Sequence, residues 1–412
     1  MRRTVITGIG PISCIGIGLE NFWRGLRAQQ SGISRLTAFD PADFGVFCAG
    51  QVHDFNPAEF FTAKRMKRLD RYAQFAVASA KLALRDSGLP YSPDQPQPRV
   101  GVSYGTALGG ISSAEDQHAK FLEGGARAVN PALALMVFGG SAHSNIAIEC
   151  GFRGVGTTNS NSCASGPVAI GEGMRYIRDN IADVIIAGSA EAPLRPLTFG
   201  AFAMIKSMST YDGPEPGRAC RSFSADRSGF VMGEGAASLV LEEYEHARRR
   251  GAKIYAEVLG YALNNDAHHM TNPLPTGESA VACMRESLAM AGLNVEQIDY
   301  INAHASSTKA NDATEVRAIK TVFGEHAYRI PVSGTKGYHA HALGATGCFE
   351  AAACCLALER GFIPPTLHLD EPDPECDLDH VPNVGREASP RYILSNSFGF
   401  GGINACIVLG KV

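Results

Sequence analysis

Apolar positions along this chain fall into two alternating kinds of segment. Short, nearly unbroken apolar runs recur, among them VGVSYGT, ADVIIAGSAEA, AASLVLEEYE, IDYINAHAS and YILSNSFGFGGINACIVL. Runs of this length predict buried strands. Between them lie alanine-rich stretches such as RYAQFAVASAKLALRDSG and ESAVACMRESLAMAGL, which predict helices. Strands alternating with helices, both buried, predict an α/β layered fold. The opening MRRTVITGIGPISCIG starts like a signal peptide. Its apolar stretch is short, broken by glycines and Pro11, and lacks a small-residue cleavage site, so it reads as a first strand and its turn.

The pattern repeats weakly. A helix ending in LALRDSGLP precedes the strand VGVSYGT, and a helix ending in ESLAMAGLN precedes IDYINAHAS. The offset of roughly 200 residues is that of a duplicated fold, not a solenoid. It predicts two halves, 1–252 and 253–412, meeting near EHARRRGAKIYAEV. The charged tract ARRRGAK reads as a helix C-terminus that complements the dipole. Residues 91–99 and 369–391 read as loops.

Composition narrows the function classes. The chain has 412 residues, 45% hydrophobic and 19% charged, which is enough for a large core. A net charge of -4 gives no global basic field for nucleic acid or a membrane surface. No run reaches the ~18 apolar residues of a membrane span. Eleven scattered cysteines, an odd number in a long chain, argue against a disulfide framework and for a reducing cytoplasm. No CxxC pair or Cys/His spacing suggests zinc, so no metal is expected. Ten of the cysteines read as small buried hydrophobes.

Four places could carry chemistry. In TTNSNSCASGPVAIGEGMRYI, Cys163 follows turn-prone polar residues and opens a helix, where backbone N–H groups and the dipole favour a thiolate. Alone, it is equally a core cysteine. In NAHASSTKANDATE, His304 ends a strand, a usual place for catalytic groups in α/β proteins; a loop-capping histidine is the plain alternative. In PVSGTKGYHAHALGATGCFEAA, Lys336, His339 and His341 crowd together, without the further ligands a metal pair needs. In NSFGFGGINACIVL, Phe398 and Phe400 alternate with glycines, which suits a gate or a bulged hairpin.

The order and spacing of these four resemble the β-ketoacyl-[acyl-carrier-protein] synthases, the bacterial synthase II type above all. The resemblance spans nearly the whole chain and includes RSFSADRSGFVMGEGAASLVLEEYEHARRRGAKIYAEVLG and DAHHMTNP. It implies the thiolase fold, with duplicated halves in five α-β-α-β-α layers, and a homodimer. It implies Cys163 as the acyl-carrying nucleophile and the N–H groups of Cys163 and Phe400 as an oxyanion hole. His304 and His341 would stabilise the enolate left when a malonyl unit loses carbon dioxide. Lys336 would organise the site, paired with Glu315. Thr271 and Thr308 would bind the phosphopantetheine arm of an acyl carrier protein; no cofactor would be bound by the enzyme itself. Phe202 and Phe400 would gate the malonyl pocket, and Leu108 would limit acyl-chain entry.

The same resemblance assigns docking of an acidic carrier protein to Lys64, Arg65, Lys67 and Arg68, next to Arg71, with Arg127 and Lys206. The plain reading is a solvated helix face. Two positions depart from the family: Ala305 and Ala340 stand where glycine is usual, beside His304 and His341. The resemblance implies condensation in fatty-acid elongation; the two changes are compatible with the alternative, a specialised type II polyketide or polyene synthase, which could pair with a chain-length-factor paralogue. A non-catalytic chain-length factor is disfavoured by the intact Cys163. A degradative thiolase is disfavoured by Phe400 and glycines where its second cysteine belongs. His341 disfavours a Cys-His-Asn starter synthase.

Overall fold

The structure is a computed structural model that describes residues 2–412. Ten of the eleven strands of its main sheet lie along one path: β1 (Thr4–Ser13), β2 (Val100–Gly105), β3 (Gly156–Asn159), β4 (Val184–Glu191), β5 (Gly235–Glu243), β6 (Ala256–Asn265), β7 (Tyr300–Asn302), β8 (Val332–Ser333), β9 (Tyr392–Gly399) and β10 (Ile403–Gly410); the eleventh, Gly16–Ile17, pairs with β1 alone. The first five lie in the order β3-β2-β4-β5-β1 and the second five in the order β8-β7-β9-β10-β6. Numbered within each half, both read 3-2-4-5-1. The pairing senses agree as well. The first and fifth strands, and the fifth and fourth, are antiparallel, while the fourth, second and third are parallel. The halves are stitched where Val5 and Ile6 of β1 pair with Glu257 and Ala256 of β6.

Seven helices matter for the site: α1 (Arg71–Ser87), α2 (Ser141–Cys150), α3 (Ser165–Arg178), α4 (Pro196–Met204), α5 (Glu278–Ala291), α6 (Lys309–Phe323) and α7 (Thr346–Arg360). Helix α1 starts where the Asp70 carboxylate accepts the Tyr72 N–H, and ends at Gly88, whose φ of 66° a side chain would resist. It covers the outer face of the first half with α2, while α5 and α6 pack on the outer face of the second. Between the halves lie α3 and α7, each touching strands of both. That position explains their sequences. Thr346 to Leu358 of α7, TGCFEAAACCLAL, are buried on every side, as a helix between two sheets must be. Small residues let the layers close up; a Cβ on Gly171 of α3 would lie 2.2 Å from the ring of Tyr261.

The result is five layers, α-β-α-β-α, the thiolase fold. The apolar run YILSNSFGFGGINACIVL folds as the hairpin β9–β10, and ARRRGAK ends a short helix, Tyr244–Arg249, ahead of Gly251 at φ 67°. All eleven cysteines are free thiols; ten are buried and Cys14 is half-buried. Among the described residues, no helix is long and apolar enough to cross a membrane.

Candidate active site

The chain leaves β3 through a polar bend and enters α3 by the 3-10 turn Ser162–Ala164, which carries Cys163. Ser162 takes φ 52°, a tight turn closed by Ser165 Oγ donating to Ser162 O at 2.8 Å. No side chain caps the start of α3, so its first N–H groups stay available around the thiol. Gly399 brings the β9–β10 hairpin against this turn: a Cβ there would stand 3.2 Å from Cys163 N. The Cys163 sulfur lies 3.0 Å from His341 Nε2. Burial pushes this thiol up to about 11, although the Ser162 hydroxyl, Lys336 and the Phe400 N–H pull it down. In the resting site, enclosure outweighs the helix dipole.

His304 follows the end of β7. Its ring stands edge to face with His341, centroids 5.4 Å apart and planes at 82°. Lys336 Nζ lies 3.4 Å from His304 Nδ1 and also donates to His304 O. An ammonium only donates, so His304 Nδ1 must accept and its proton sits on Nε2. His341 is placed by its own N–H on Val231 O at 2.7 Å and by Nδ1 against Thr346 Oγ1 at 2.9 Å. Burial, then the charge of Lys336, holds both imidazoles well below the usual histidine range. Neutral rings with N–H groups facing one space suit an oxygen that gains negative charge. His339 points elsewhere; its nitrogens meet Ala340 O and Thr335 Oγ1.

Lys336 does not pair with Glu315. It reaches Glu350 Oε1 at 2.5 Å, on the buried face of α7. Glu315 instead accepts the backbone N–H groups of His304 and Ala305, each at 2.8 Å, and Asn396 Nδ2 at 3.2 Å. Its carboxylate is spent shaping the loop after β7. Glu350 is therefore a site residue that sequence reasoning missed, and so is Glu191, whose carboxylate accepts the N–H groups of Ala107 and Leu108 beside the site. Each is a lone acid in an apolar run, FEAAACC and GSAEA, and that is the signal that could have found them.

Cys163, His304 and His341 open on one cavity of about 500 Å³, which Leu108, Phe202, Thr271, Thr308, Glu315, Lys206 and Phe400 also line. Phe400 tips the β9–β10 hairpin and stacks on Phe202 of α4, centroids 6.2 Å apart and planes at 12°. Thr308 caps α6, accepting Asn311 N–H at 3.3 Å. Thr271 Oγ1 lies 3.3 Å from His269 Nδ1.

The basic segment divides. Lys64, Lys67 and Arg68 are exposed, as are Arg127 and Lys206. Asn130 Nδ2 donates to Lys67 O at 3.2 Å, which ties the Arg127 segment to this face. Arg65 is not a free docking charge. It bonds Glu149 and Asn145 within the fold, and Arg71 likewise bonds Glu234.

Ala305 and Ala340 both hold positive φ, 44° and 60°. The ψ of -170° at Ala340 completes a conformation that favours glycine strongly. Their methyls occupy notches left by other glycines. A Cβ on Gly334 would come within 2.4 Å of Ala305 Cβ, and one on Gly50 within 2.6 Å of Ala340 Cβ.

Comparison with known proteins points to one family. The family model of the beta-ketoacyl synthase N-terminal domain matches residues 1–247, and that of the C-terminal domain matches 255–370. A 3-oxoacyl-[acyl-carrier-protein] synthase 2 of Coxiella burnetii (strain RSA 493 / Nine Mile phase I) is 42% identical, over 100% of this chain and 99% of the relative. One of Synechocystis sp. (strain ATCC 27184 / PCC 6803 / Kazusa) is 41% identical over 100% and 98%. Among solved structures, the ishigamide ketosynthase/chain length factor superposes with TM-score 0.93 at 38% identity, covering 100% of this chain and 99% of that one. A type II PKS ketosynthase, solved with its acyl-carrier protein and bound to the hexaketide, gives TM-score 0.92 at 35% identity, over 100% and 99%.

Proposed function

The chain belongs to the β-ketoacyl synthase family, and from that premise we propose that it performs the decarboxylative condensation of fatty-acid elongation. An acyl thioester and malonyl-[acyl-carrier protein] give β-ketoacyl-[acyl-carrier protein] and carbon dioxide. The observation that carries this reading is the 3.0 Å contact of Cys163 sulfur with His341 Nε2, in a cavity shared with His304.

Each step has a group to serve it. The Cys163 thiol passes its proton to His341 Nε2 as sulfur attacks the acyl carbonyl. The oxyanion meets the N–H groups of Cys163 and Phe400. The carrier thiol leaves with that proton, and the acyl group stays on Cys163. The malonyl thioester then enters with its carbonyl oxygen toward His304 Nε2–H and toward His341, which presents Nε2–H once its proton has moved from Nδ1 to Nε2 and the Thr346 hydroxyl donates to Nδ1 instead. Its carbon–carboxylate bond breaks, carbon dioxide departs, and the electron pair becomes the enolate. The enolate carbon attacks the acyl-cysteine carbonyl; the C–S bond breaks, and sulfur takes up one proton from solvent, the proton that the overall reaction consumes. Electrons and protons balance without an enzyme-bound cofactor; the acyl groups ride on the phosphopantetheine of the carrier protein.

Two halves divide the labour, 1–252 supplying Cys163 and 253–412 supplying His304, Lys336 and His341. Thr271 and Thr308 line the route of the pantetheine arm, and Lys64, Lys67, Arg68, Arg127 and Lys206 receive the acidic carrier. Eleven free cysteines fit a cytoplasmic enzyme. The free sheet edge at β3, with exposed Ile148 on the adjoining α2, supports pairing with a second copy. The likeness to the ketosynthase/chain length factor pair supports a second reading, condensation in a specialised type II polyketide or polyene pathway beside a paralogue. A panel of acyl-carrier substrates with malonyl-carrier protein, read by mass spectrometry, tests both. Saturated chains extended by the homodimer alone favour elongation. A product made only with a second chain favours the other reading, and no C–C bond formation with any substrate overturns the proposal.

A further inference from the structure

One buried carboxylate behind the cavity wall serves no step of the reaction. Glu191 ends β4 with its side chain fully enclosed. It accepts four hydrogen bonds: from Thr106 Oγ1 at 3.0 Å, Ala107 N at 2.7 Å, Leu108 N at 3.1 Å and Gly344 N at 3.1 Å. No arginine or lysine is among these partners.

The four donors come from two separate pieces of chain. Three sit in the loop after β2, and the fourth is in the turn Leu343–Ala345 between His341 and α7. Both pieces face the cavity, through Ala107 and Leu108 on one side and Leu343 on the other. Leu343 is buried in an apolar cluster against which Leu108 and Phe202 pack. The approach leaves no slack. A Cβ on Gly344 would lie 2.8 Å from Glu191 Oε2 and 2.6 Å from Ala107 N. A carboxylate has acceptors only, so it can bind N–H groups from both pieces at once; an amide would turn a donor toward one of them.

We propose that Glu191 is a positioning residue that clamps the Leu108 loop to the Leu343 turn and so sets which acyl chains fit on Cys163. This rests on the reading that Cys163 carries the acyl group. The experiment compares wild type with Glu191→Gln across acyl-carrier substrates of increasing length. It reads acyl-Cys163 by mass spectrometry and kcat/KM for each length. The ratio of kcat/KM between long and short chains cancels any uniform loss. That ratio should change by about tenfold, as expected when a pocket wall shifts by a methylene's breadth, and the change should lie mainly in KM. Glu191→Asp should recover part of the wild-type ratio. If Glu191→Gln does not fold, Thr106→Val, which removes one donor, must itself shift the ratio, and an unchanged ratio in that variant overturns the proposal. A uniform fall in kcat with an unchanged ratio overturns the proposal. Wild type that takes no acyl group on Cys163 at any length overturns the parent reading instead.

Discussion

Lys336 Nζ and Glu350 Oε1 lie 2.5 Å apart with both side chains wholly enclosed. Burial pushes the Glu350 carboxyl up to about 7, even against the pull of Lys336. The pair matters through what Lys336 does next, because the same ammonium bonds His304 O and faces His304 Nδ1. Glu350 thus holds the cation that sets the tautomer of a reacting histidine. Glu350→Ala leaves a buried charge unpaired and should cost about 3–5 kcal/mol, measured by urea unfolding. A loss below about 1 kcal/mol would mean that Lys336 finds another partner.

The contact of Cys163 with His341 predicts how the free enzyme is labelled. The enclosed thiol, pushed up to about 11, is protonated at rest. Alkylation by iodoacetamide should be slow at neutral pH and rise through the alkaline range. His341→Ala should slow it further near neutrality by removing the proton acceptor. An alkylation midpoint at about pH 6 would show instead that the helix start alone holds a thiolate. In turnover, Cys163→Ala should abolish condensation, while Cys163→Gln should still decarboxylate malonyl-carrier protein.

Sequence made some of this legible and hid the rest for a physical reason. Cys163, His304 and His341 stand in suggestive local contexts, a polar bend before a small-residue helix, a strand end and a crowded turn, but each has a plain alternative on its own, and only their joint order and spacing single them out. The alternation of strands and helices, with its weak repeat, was enough for the layered fold. Partner choice was not legible. Glu315 and Glu350 both sit on helices, and only packing turns the first toward backbone N–H groups and the second toward Lys336. Arg65 looked like one charge in a basic run until Glu149, far along the chain, took it. Ala305 and Ala340 stood out as departures, but the notches at Gly334 and Gly50 that receive their methyls come from distant segments.

The histidines predict a flat pH dependence where an ordinary imidazole would titrate. His304 and His341 are held well below 6.5 by burial and then by Lys336, with the other imidazole next for His304 and His339 next for His341. Both should stay neutral from pH 8 down past about 6.5. Decarboxylation by Cys163→Gln should therefore show no midpoint at 6.5. The linkage has a definite sign. The unfolded chain takes up protons near 6.5 that the folded chain refuses, so this contribution is present above that pH and lost as pH falls below it. Urea titrations at pH 7 and pH 5.5 should show a smaller loss for His341→Ala than for wild type. A decarboxylation midpoint at 6.5 would mean solvated rings.

Strain at Ala340 predicts a double-mutant cycle. Its φ of 60° and ψ of -170° cost an alanine on the order of 1–3 kcal/mol, and glycine adopts them freely. Ala340→Gly should therefore raise stability by about 1 kcal/mol, less than the full strain because glycine also gains freedom in the unfolded chain. Gly50→Ala should destabilise, since its new methyl would meet Ala340 Cβ at 2.6 Å. That clash needs both methyls. Hence Gly50→Ala should cost less in the Ala340→Gly background, with a coupling above about 0.5 kcal/mol. Equal costs in both backgrounds would place the conflict of Gly50→Ala elsewhere, against His339 O or the Cys14 sulfur, which lie 3.0 Å and 3.3 Å from the same position. The catalytic consequence follows from Ala340 preceding His341. If the methyl in its notch steadies that ring, Ala340→Gly should gain stability and lose kcat together, with KM for the malonyl-carrier protein unchanged. A gain in stability with kcat intact would confine the strained alanine to packing.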